Sequence, residues 1–493
     1  MKSFINTFLL KVIFVAVLLL GTACEKSQVE DKQDKPVQPF PENPFYWSYK
    51  GEPILLLGGT WQDNLFNHPE GLEGHLELLM SVGGNYVRNT MSHRNVGNVF
   101  AYAKTAEGYF DLDKFNEAYW DRFATFLKIC HDKDIIVQLE IWDPWDHYED
   151  HQSFGGWSHH PFNPVNTMTF TPETSRLPIA VDYPPRSEPS EHAFFRTVPD
   201  LDNNEMVLSY QQAYVDQLLS ISLPFPNVIY CINNESGEEL AWSNYWAAYL
   251  HQKGQEKGVK VQVTEMRRRE DVQAADHRLV FDDPQHYTFV DISQNNAFSG
   301  LGQRHYDNIQ YVRDYLSQNP RPINNIKNYG AARHGEEESI ARFCRMVFAG
   351  AASARFHRPH PLEDPKDHEA ATDFGLGLSP KAQRVIQSMR QVSDKLALTK
   401  ANPRNDLLSE REENEAYLLA EEGKQYAIYF PLDAGDGQVL LDMNGAKGKW
   451  QIAWVNVSEN TWLDTIEEVE INGKAPIQKP ERGHWACVIL PSE

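Results

Sequence analysis

Cysteine is scarce in this chain, with five among 493 residues. None forms a Cys-x-x-Cys pair or a Cys/His spacing suited to a metal, so neither a zinc module nor a disulfide framework is demanded. Cys130, Cys231 and Cys344 fall inside apolar helix or strand patterns and read as small buried hydrophobes. Positive charge is also short: 46 Lys and Arg stand against 69 Asp and Glu, a net charge of −23. Such a surface repels phosphate, which argues against a nucleic-acid partner. After the first twenty residues no apolar run is long enough to span a bilayer. The Gly-rich turn of dinucleotide-binding folds is missing too, because Gly58-Gly59-Thr60-Trp61 lacks the G-x-G-x-x-G spacing. Aromatic residues are plentiful at 12%, including 12 Trp and 21 Tyr. They suit an ordinary core, and equally the stacking platforms on which sugar rings bind.

The N-terminus has the order of a secretory signal. Lys2 and Lys11 flank an apolar run, Val12 to Leu20, and Gly21-Thr22-Ala23-Cys24 follows. Small residues running into a cysteine resemble the lipobox of bacterial lipoproteins, with Gly21 where Leu is commonest. That resemblance implies a signal over 1–24, lipidation of Cys24, and an extracytoplasmic protein held on the outer membrane only by its lipid. Residues 25–44 are polar and Pro-containing and are expected to be a flexible tether.

From Phe45 to Leu398 short apolar runs alternate with helical periodicity. The runs begin near Ile54, Asn85, Ile135, Val228, Val259, Phe289, Pro322 and Ser353. Eight continuous apolar strands separated by helices predict a parallel sheet closed into a (β/α)₈ barrel over 45–398. A Pro-, His- and Trp-rich insertion, Trp142 to Leu201, follows the third strand and is expected on the active-site face. Residues 405–493 change to short alternating segments divided by Gly, Asp and Asn, the pattern of a small antiparallel β-sandwich.

On a barrel, chemistry belongs at the C-terminal ends of strands. The carboxylates there are Asp63, Glu140, Asp143, Asp146, Glu235, Glu265 and Asp291. Glu235 stands out, since Val228-Ile229-Tyr230-Cys231-Ile232 runs directly into Asn233-Asn234-Glu235. Here the chain resembles clan A glycoside hydrolases, whose fourth strand ends in Asn-Glu and whose second carries an Arg. The resemblance makes Glu235 the general acid/base, Asn234 a sugar-hydroxyl partner and Arg88 a support of the site. The alternative for Glu235 is a helix cap. The seventh strand departs from the clan. Pro322-Ile323-Asn324-Asn325-Ile326-Lys327-Asn328-Tyr329-Gly330 puts Asn328 at the nucleophile position, and an amide cannot form the glycosyl ester. Either the nucleophile comes from elsewhere, or the reaction inverts, or the protein no longer hydrolyses. Glu265 is the candidate second carboxylate, set against a structural ion pair with Arg267 to Arg269. Asp291 is the third choice.

Further binding candidates cluster at strand ends: Trp61, Gln62 and Asp63; His93 and Arg94; Trp142, Asp143, Trp145 and Asp146; Asn328 and Tyr329; Arg355, His357, Arg358 and His360. Clustered Arg and His suit an anionic sugar, and equally internal pairing with acidic loops. No spacing within His147 to His160 fixes metal ligands on one face. The whole arrangement is similar to barrel-plus-sandwich families related to apiosidases, whose C-terminal module bears a collagen-binding label without implying that activity here. The expectation is a glycosidase acting on a plant or algal polysaccharide or its oligosaccharides, needing no cofactor. A non-catalytic glycan-binding lipoprotein is the competing reading. A polysaccharide lyase, with Lys327 or a Tyr as base, is the third.

Overall fold

The computed structural model describes residues 35–492, apart from 94–96, 149–155, 183–190, 298–301, 330–333, 360–373, 433 and 435–436. Cys24, Arg94 and His360 lie outside the described residues. Eight parallel strands form the barrel: β1 Leu56–Gly59, β2 Tyr86–Thr90, β3 Ile136–Trp142, β4 Val228–Asn233, β5 Val263–Thr264, β6 Val290–Asp291, β7 Ile323–Asn324 and β8 Ser353–Phe356. Each is followed by a helix: α1 Leu72–Ser81, α2 Glu117–Asp132, α3 Glu205–Ser222, α4 Leu240–Glu256, α5 Ala275–Phe281, α6 Gln303–Tyr315, α7 Glu336–Phe348 and α8 Pro380–Lys395.

The ring closes. Ladders join β2 to β3, β3 to β4, β4 to β5, β6 to β7, and β8 back to β1 with Ser353 opposite Leu56. Shorter pairings close the remaining gaps, among them Asn85 N–H to Leu57 O at 2.9 Å, Thr288 N–H to Val263 O at 2.9 Å, and Ala352 N–H to Ile323 O at 2.8 Å. The first strand runs two residues further than its apolar stretch, through Gly58 and Gly59. Glycine is usually depleted in strands, but here it is required. A Cβ on Gly58 would stand 2.0 Å from Tyr86 O, and one on Gly59 would stand 2.0 Å from Gly377 O. The fifth strand is shorter and later than its apolar run, since only Val263–Thr264 keeps the ladder to β4.

Alternation sorts the strand side chains. Outward residues such as Leu57, Val87, Val137, Leu139, Tyr230 and Val263 join the large core beneath the helices. Inward ones, Leu56, Tyr86, Ile136, Ile229 and Phe289, cluster with Val37, Trp47 and Tyr49, and Cys231 and Met266 continue the cluster toward the mouth of the barrel. Residues 37–44, expected in the tether, therefore belong in part to the fold. Gln38–Pro39 pairs with Trp47–Ser48, and burying Val37 repays ordering that segment. Above this apolar floor lies a polar layer. Trp47 Nε1 donates to Asn324 Oδ1 at 2.9 Å, and Asn324 Nδ2 donates to Tyr86 Oη and Gln138 Oε1. Gln138 Nε2 then reaches Asp291 Oδ2 at 2.9 Å. Buried polar atoms cost free energy unless they are paired, and this interlock ties four strands together.

The insertion after β3 packs onto the barrel through aromatic rings. His147 and His160 lie 4.3 Å apart between centroids, with Trp157 and Phe194 around them. Burial holds both imidazoles uncharged, with the pKa of His147 pushed down to about 3. The cysteines 130, 231, 344 and 487 are all buried and unpaired.

The C-terminal module is an antiparallel sheet: β9 Tyr417–Glu421, β10 Gln425–Phe430, β11 Gln438–Asn456, β12 Glu467–Gln478 and β13 Trp485–Pro491, with short edge strands. The long β11 pairs with both β12 and β13, and its register shifts between Asp442 and Lys447. Period-two alternation gives the sheet two apolar faces. Leu418, Ile428, Trp450, Trp454 and Cys487 form the module's own core, whereas Tyr417, Leu419, Tyr429 and Val488 join the core of the barrel. Phe348 of α7 meets Tyr429 at 5.7 Å between ring centroids, and Trp462 Nε1 donates to Gln391 Oε1 on α8.

Candidate functional site

The end of β4 is held from both sides. Asn234 N–H donates to Trp142 O of β3 at 2.9 Å, while Ser236 N–H donates to Met266 O beyond β5 at 2.7 Å. Glu235, between them, is forced into the left-handed region with φ of 59°. A non-glycine residue there carries strain, and strain of this kind collects where a side chain must be aimed. Glu235 is aimed at the seventh strand. Lys327 Nζ donates to its Oε1 at 2.5 Å and also to Asn234 Oδ1, and Tyr329 Oη donates to the same Oε1 at 3.2 Å. Asn234 Nδ2 donates in turn to Asp143 Oδ1 at 3.1 Å. Lys327 and Tyr329 are almost wholly buried, and Glu235 is 9% exposed.

A second group lies across the barrel mouth. Arg88 grips Glu140 with two bonds of 2.7 Å and reaches Asp63 at 2.5 Å. Arg358 Nε donates to the other Asp63 oxygen at 2.6 Å. Fork-to-fork pairing of this type needs the planar guanidinium, so Arg88 serves as a rigid support. Arg355 donates to Ile326 O at 2.6 Å and to Thr60 Oγ1. Burial, then the neighbouring Arg88, lowers its pKa to about 9. Its donors hold backbone and hydroxyl groups of the barrel, which corrects its reading as a substrate-carboxylate ligand. His357 is buried with its ring edge-on to Tyr329 at 4.9 Å, and burial pushes its pKa well below the usual range.

Three further candidates sit away from Glu235. Asn328 is turned outward, with Nδ2 on Ser339 O of α7 at 2.7 Å and its backbone paired to β8. The side chains facing Glu235 are its neighbours on either side, which the alternation of a strand could have revealed. Trp142 lies in an aromatic layer with Trp242, Trp246, Tyr214 and Phe194 and acts as core. Trp61 packs on His75 at 4.5 Å and lines a small cavity beside α1 with Gln62 and Leu65.

Glu265 is fully buried, and its carboxylate is taken up by Asn233. It accepts from the Asn233 main-chain N–H at 3.2 Å and from Asn233 Nδ2 at 3.0 Å. Asn233 Oδ1 accepts from Trp242 Nε1 on α4, which ties this pair to the helical layer. Burial raises the Glu265 pKa to about 7, offset in part by Arg267 and by these hydrogen bonds. Asp291 belongs to the layer below, with burial raising it to about 6 against bonds from Ser293 and Gln138. Neither the Arg267–Arg269 ion pair alone nor contact with Glu235 describes Glu265. The geometry makes it a partner of Asn233 that steadies the end of β4.

Closed parallel barrel, Asn-Glu at the end of β4 and a buried Arg clamp on β2 define the class of fold: a (β/α)₈ barrel with a C-terminal antiparallel module. No family model and no curated protein matches the sequence. Solved structures do match the fold. One described as a glycoside hydrolase aligns at a TM-score of 0.62 and 13% identity, over 94% of this chain and 98% of that one. A glycoside hydrolase family 5 protein from Bacteroides vulgatus ATCC 8482 aligns at 0.62 and 12%, over 94% and 96%. A family 5 mannosidase from Rhizomucor miehei aligns at 0.50 and 13%, over 75% of this chain and 99% of its own. The fold is therefore that of family 5 glycoside hydrolases, and the first two matches extend past the barrel.

Proposed function

We propose that this chain is a glycoside hydrolase in which Glu235 is the acid/base. The observation that carries this reading is the placement of Asn234-Glu235. It lies at the C-terminal end of β4, with Glu235 in a strained backbone conformation and its carboxylate bonded to Lys327 and Tyr329 from the segment that follows β7. Barrel enzymes do their chemistry at that end of the ring. The fold of the solved neighbours supports the same class, and the mannosidase among them makes mannans the first substrates to test. On this reading the substrate is a plant or algal polysaccharide or an oligosaccharide from one. The protein would act outside the cytoplasm, tethered through lipid on Cys24.

The test is hydrolysis of a panel of mannans, glucans, xylans and pectic or algal polysaccharides by the full chain, followed by Glu235→Gln. The variant should lose about 10²- to 10⁴-fold in turnover while still binding the sugar. Equal activity in the variant removes Glu235 from the chemistry.

A second reading is favoured by one observation. A buried ammonium, Lys327, stands on the strand from which family 5 barrels are expected to supply a nucleophilic carboxylate. A glycan-binding protein on a degenerate barrel fits that exchange. Sugar binding by the wild type with no cleavage of any panel member would establish it.

A further inference from the structure

If the chain hydrolyses glycosides, a group other than an ordinary strand-seven carboxylate must attack the anomeric carbon. The described carboxylates at this end of the barrel are engaged elsewhere. Asp63 and Glu140 are clamped by Arg88, Asp146 holds Ser92 and the His93 amide, and Glu265 holds Asn233. Glu238 accepts from Ser236 and the Gly237 amide. Asp143 accepts from Asn234 and caps the turn at Trp145. Tyr329, by contrast, brings an oxygen nucleophile to the acid/base itself, with its Oη donating to Glu235 Oε1 at 3.2 Å.

We propose that Tyr329 is the nucleophile, Glu235 its base and Lys327 the acid for the leaving oxygen. This rests on the hydrolase reading, keeps Glu235 as a proton-transfer group and moves protonation of the leaving oxygen to Lys327. In the first step the phenol proton passes to Glu235 as Tyr329 Oη bonds to the anomeric carbon. The bond from that carbon to the leaving oxygen breaks, and the oxygen takes a proton from the Lys327 ammonium. In the second step water attacks the anomeric carbon of the aryl glycoside and gives a proton to Lys327. The departing phenolate recovers its proton from Glu235. The net change is addition of one water, with every group restored.

The geometry fits this division of labour. Lys327 Nζ and Tyr329 Oη both contact the same oxygen, at 2.5 and 3.2 Å, so they lie less than 6 Å apart. Tyrosine serves as nucleophile in some retaining glycosidases. Period-two alternation places residues 327 and 329 on the same side of the chain and sends Asn328 to α7. A neutral phenol also suits an anionic sugar, because it is not repelled by the substrate as a carboxylate would be.

The experiment uses the full chain with 2,4-dinitrophenyl 2-deoxy-2-fluoro glycosides of mannose, glucose, galactose and glucuronic acid. Intact mass and peptide mapping should show one fluoroglycosyl group on the peptide containing Tyr329. Proton NMR of turnover on the natural substrate should show retention. Tyr329→Phe should fold normally, yield no adduct and lose at least 100-fold in turnover. An adduct on Glu265, Asp143 or another carboxylate overturns the proposal, as does inversion or near-normal turnover in Tyr329→Phe. Hydrolysis that needs Glu235 but not Tyr329 leaves the hydrolase reading standing and removes this one. No cleavage of any substrate by the wild type removes both.

Discussion

Substituting Glu265 by Gln separates a structural carboxylate from a catalytic one. The carboxyl is fully buried, and burial raises its pKa from the usual 4.5 to about 7. Between those two values the native protein keeps the proton while the unfolded chain has released it. Stability must therefore fall as pH rises through the window, and stay level above about 7 where both states are ionised. At about 1.4 kcal/mol per unit, the loss approaches about 3 kcal/mol. Glutamine keeps the shape and an oxygen for the Asn233 donors, but it carries no titrating proton. The wild type and Glu265→Gln should thus have unfolding free energies that diverge by about 3 kcal/mol in favour of the variant between pH 4.5 and 8. Urea unfolding of the full chain at four pH values in that range measures the gap, with equal slopes confirming that the unfolded states are comparable. Other titrating groups are common to both proteins and cancel. A gap constant to within about 0.5 kcal/mol would refute the burial argument. Turnover at pH 8 should persist within about tenfold, whereas a catalytic carboxylate replaced by an amide would lose far more.

Arg88→Met should cost about 3–5 kcal/mol, because it strands the buried Glu140 and Asp63 carboxylates; chemical denaturation checks it, and a loss under about 1 kcal/mol would show the clamp to be dispensable. Two glycines should behave differently. A Cβ on Gly59 meets the backbone carbonyl of Gly377, so Gly59→Ala should lose roughly 1–3 kcal/mol or more. At Gly237 the atoms nearest a new carbon belong to the Arg268 guanidinium, at 2.4 Å. Gly237→Ala should therefore lower the thermal midpoint less than Gly59→Ala, because the far end of a side chain can shift where a backbone carbonyl cannot. Trp47→Phe removes the donor to the buried Asn324 Oδ1, and a midpoint shift corresponding to about 1–3 kcal/mol is expected in thermal unfolding.

Much of the architecture is written locally. Each of the eight strands of the ring lies in or beside an apolar run, because strands buried on both faces need continuous hydrophobic sequence. The change to period-two alternation marks the C-terminal sheet, whose two faces do contact different cores. Glu235 was visible because a buried strand ending in Asn-Asn-Glu is a local pattern. Trp142 and Arg355 were legible as residue types at strand ends but not in direction. A Trp there serves a cleft or a core, and an Arg serves a ligand or a carbonyl, according to neighbours that are distant in sequence.

What the chain determines by itself is the order of elements and the side-chain types delivered to the barrel mouth, since both follow from periodicity and strand ends. Which of those side chains meet was decided only by closure of the ring. Closure brings Lys327 and Tyr329, just past β7, to Glu235 at the end of β4, more than ninety residues earlier, and commits Glu265 to Asn233. Short-range pattern cannot encode such pairings, because they depend on strand twist, register and the exact turn of a backbone held at a φ of 59°.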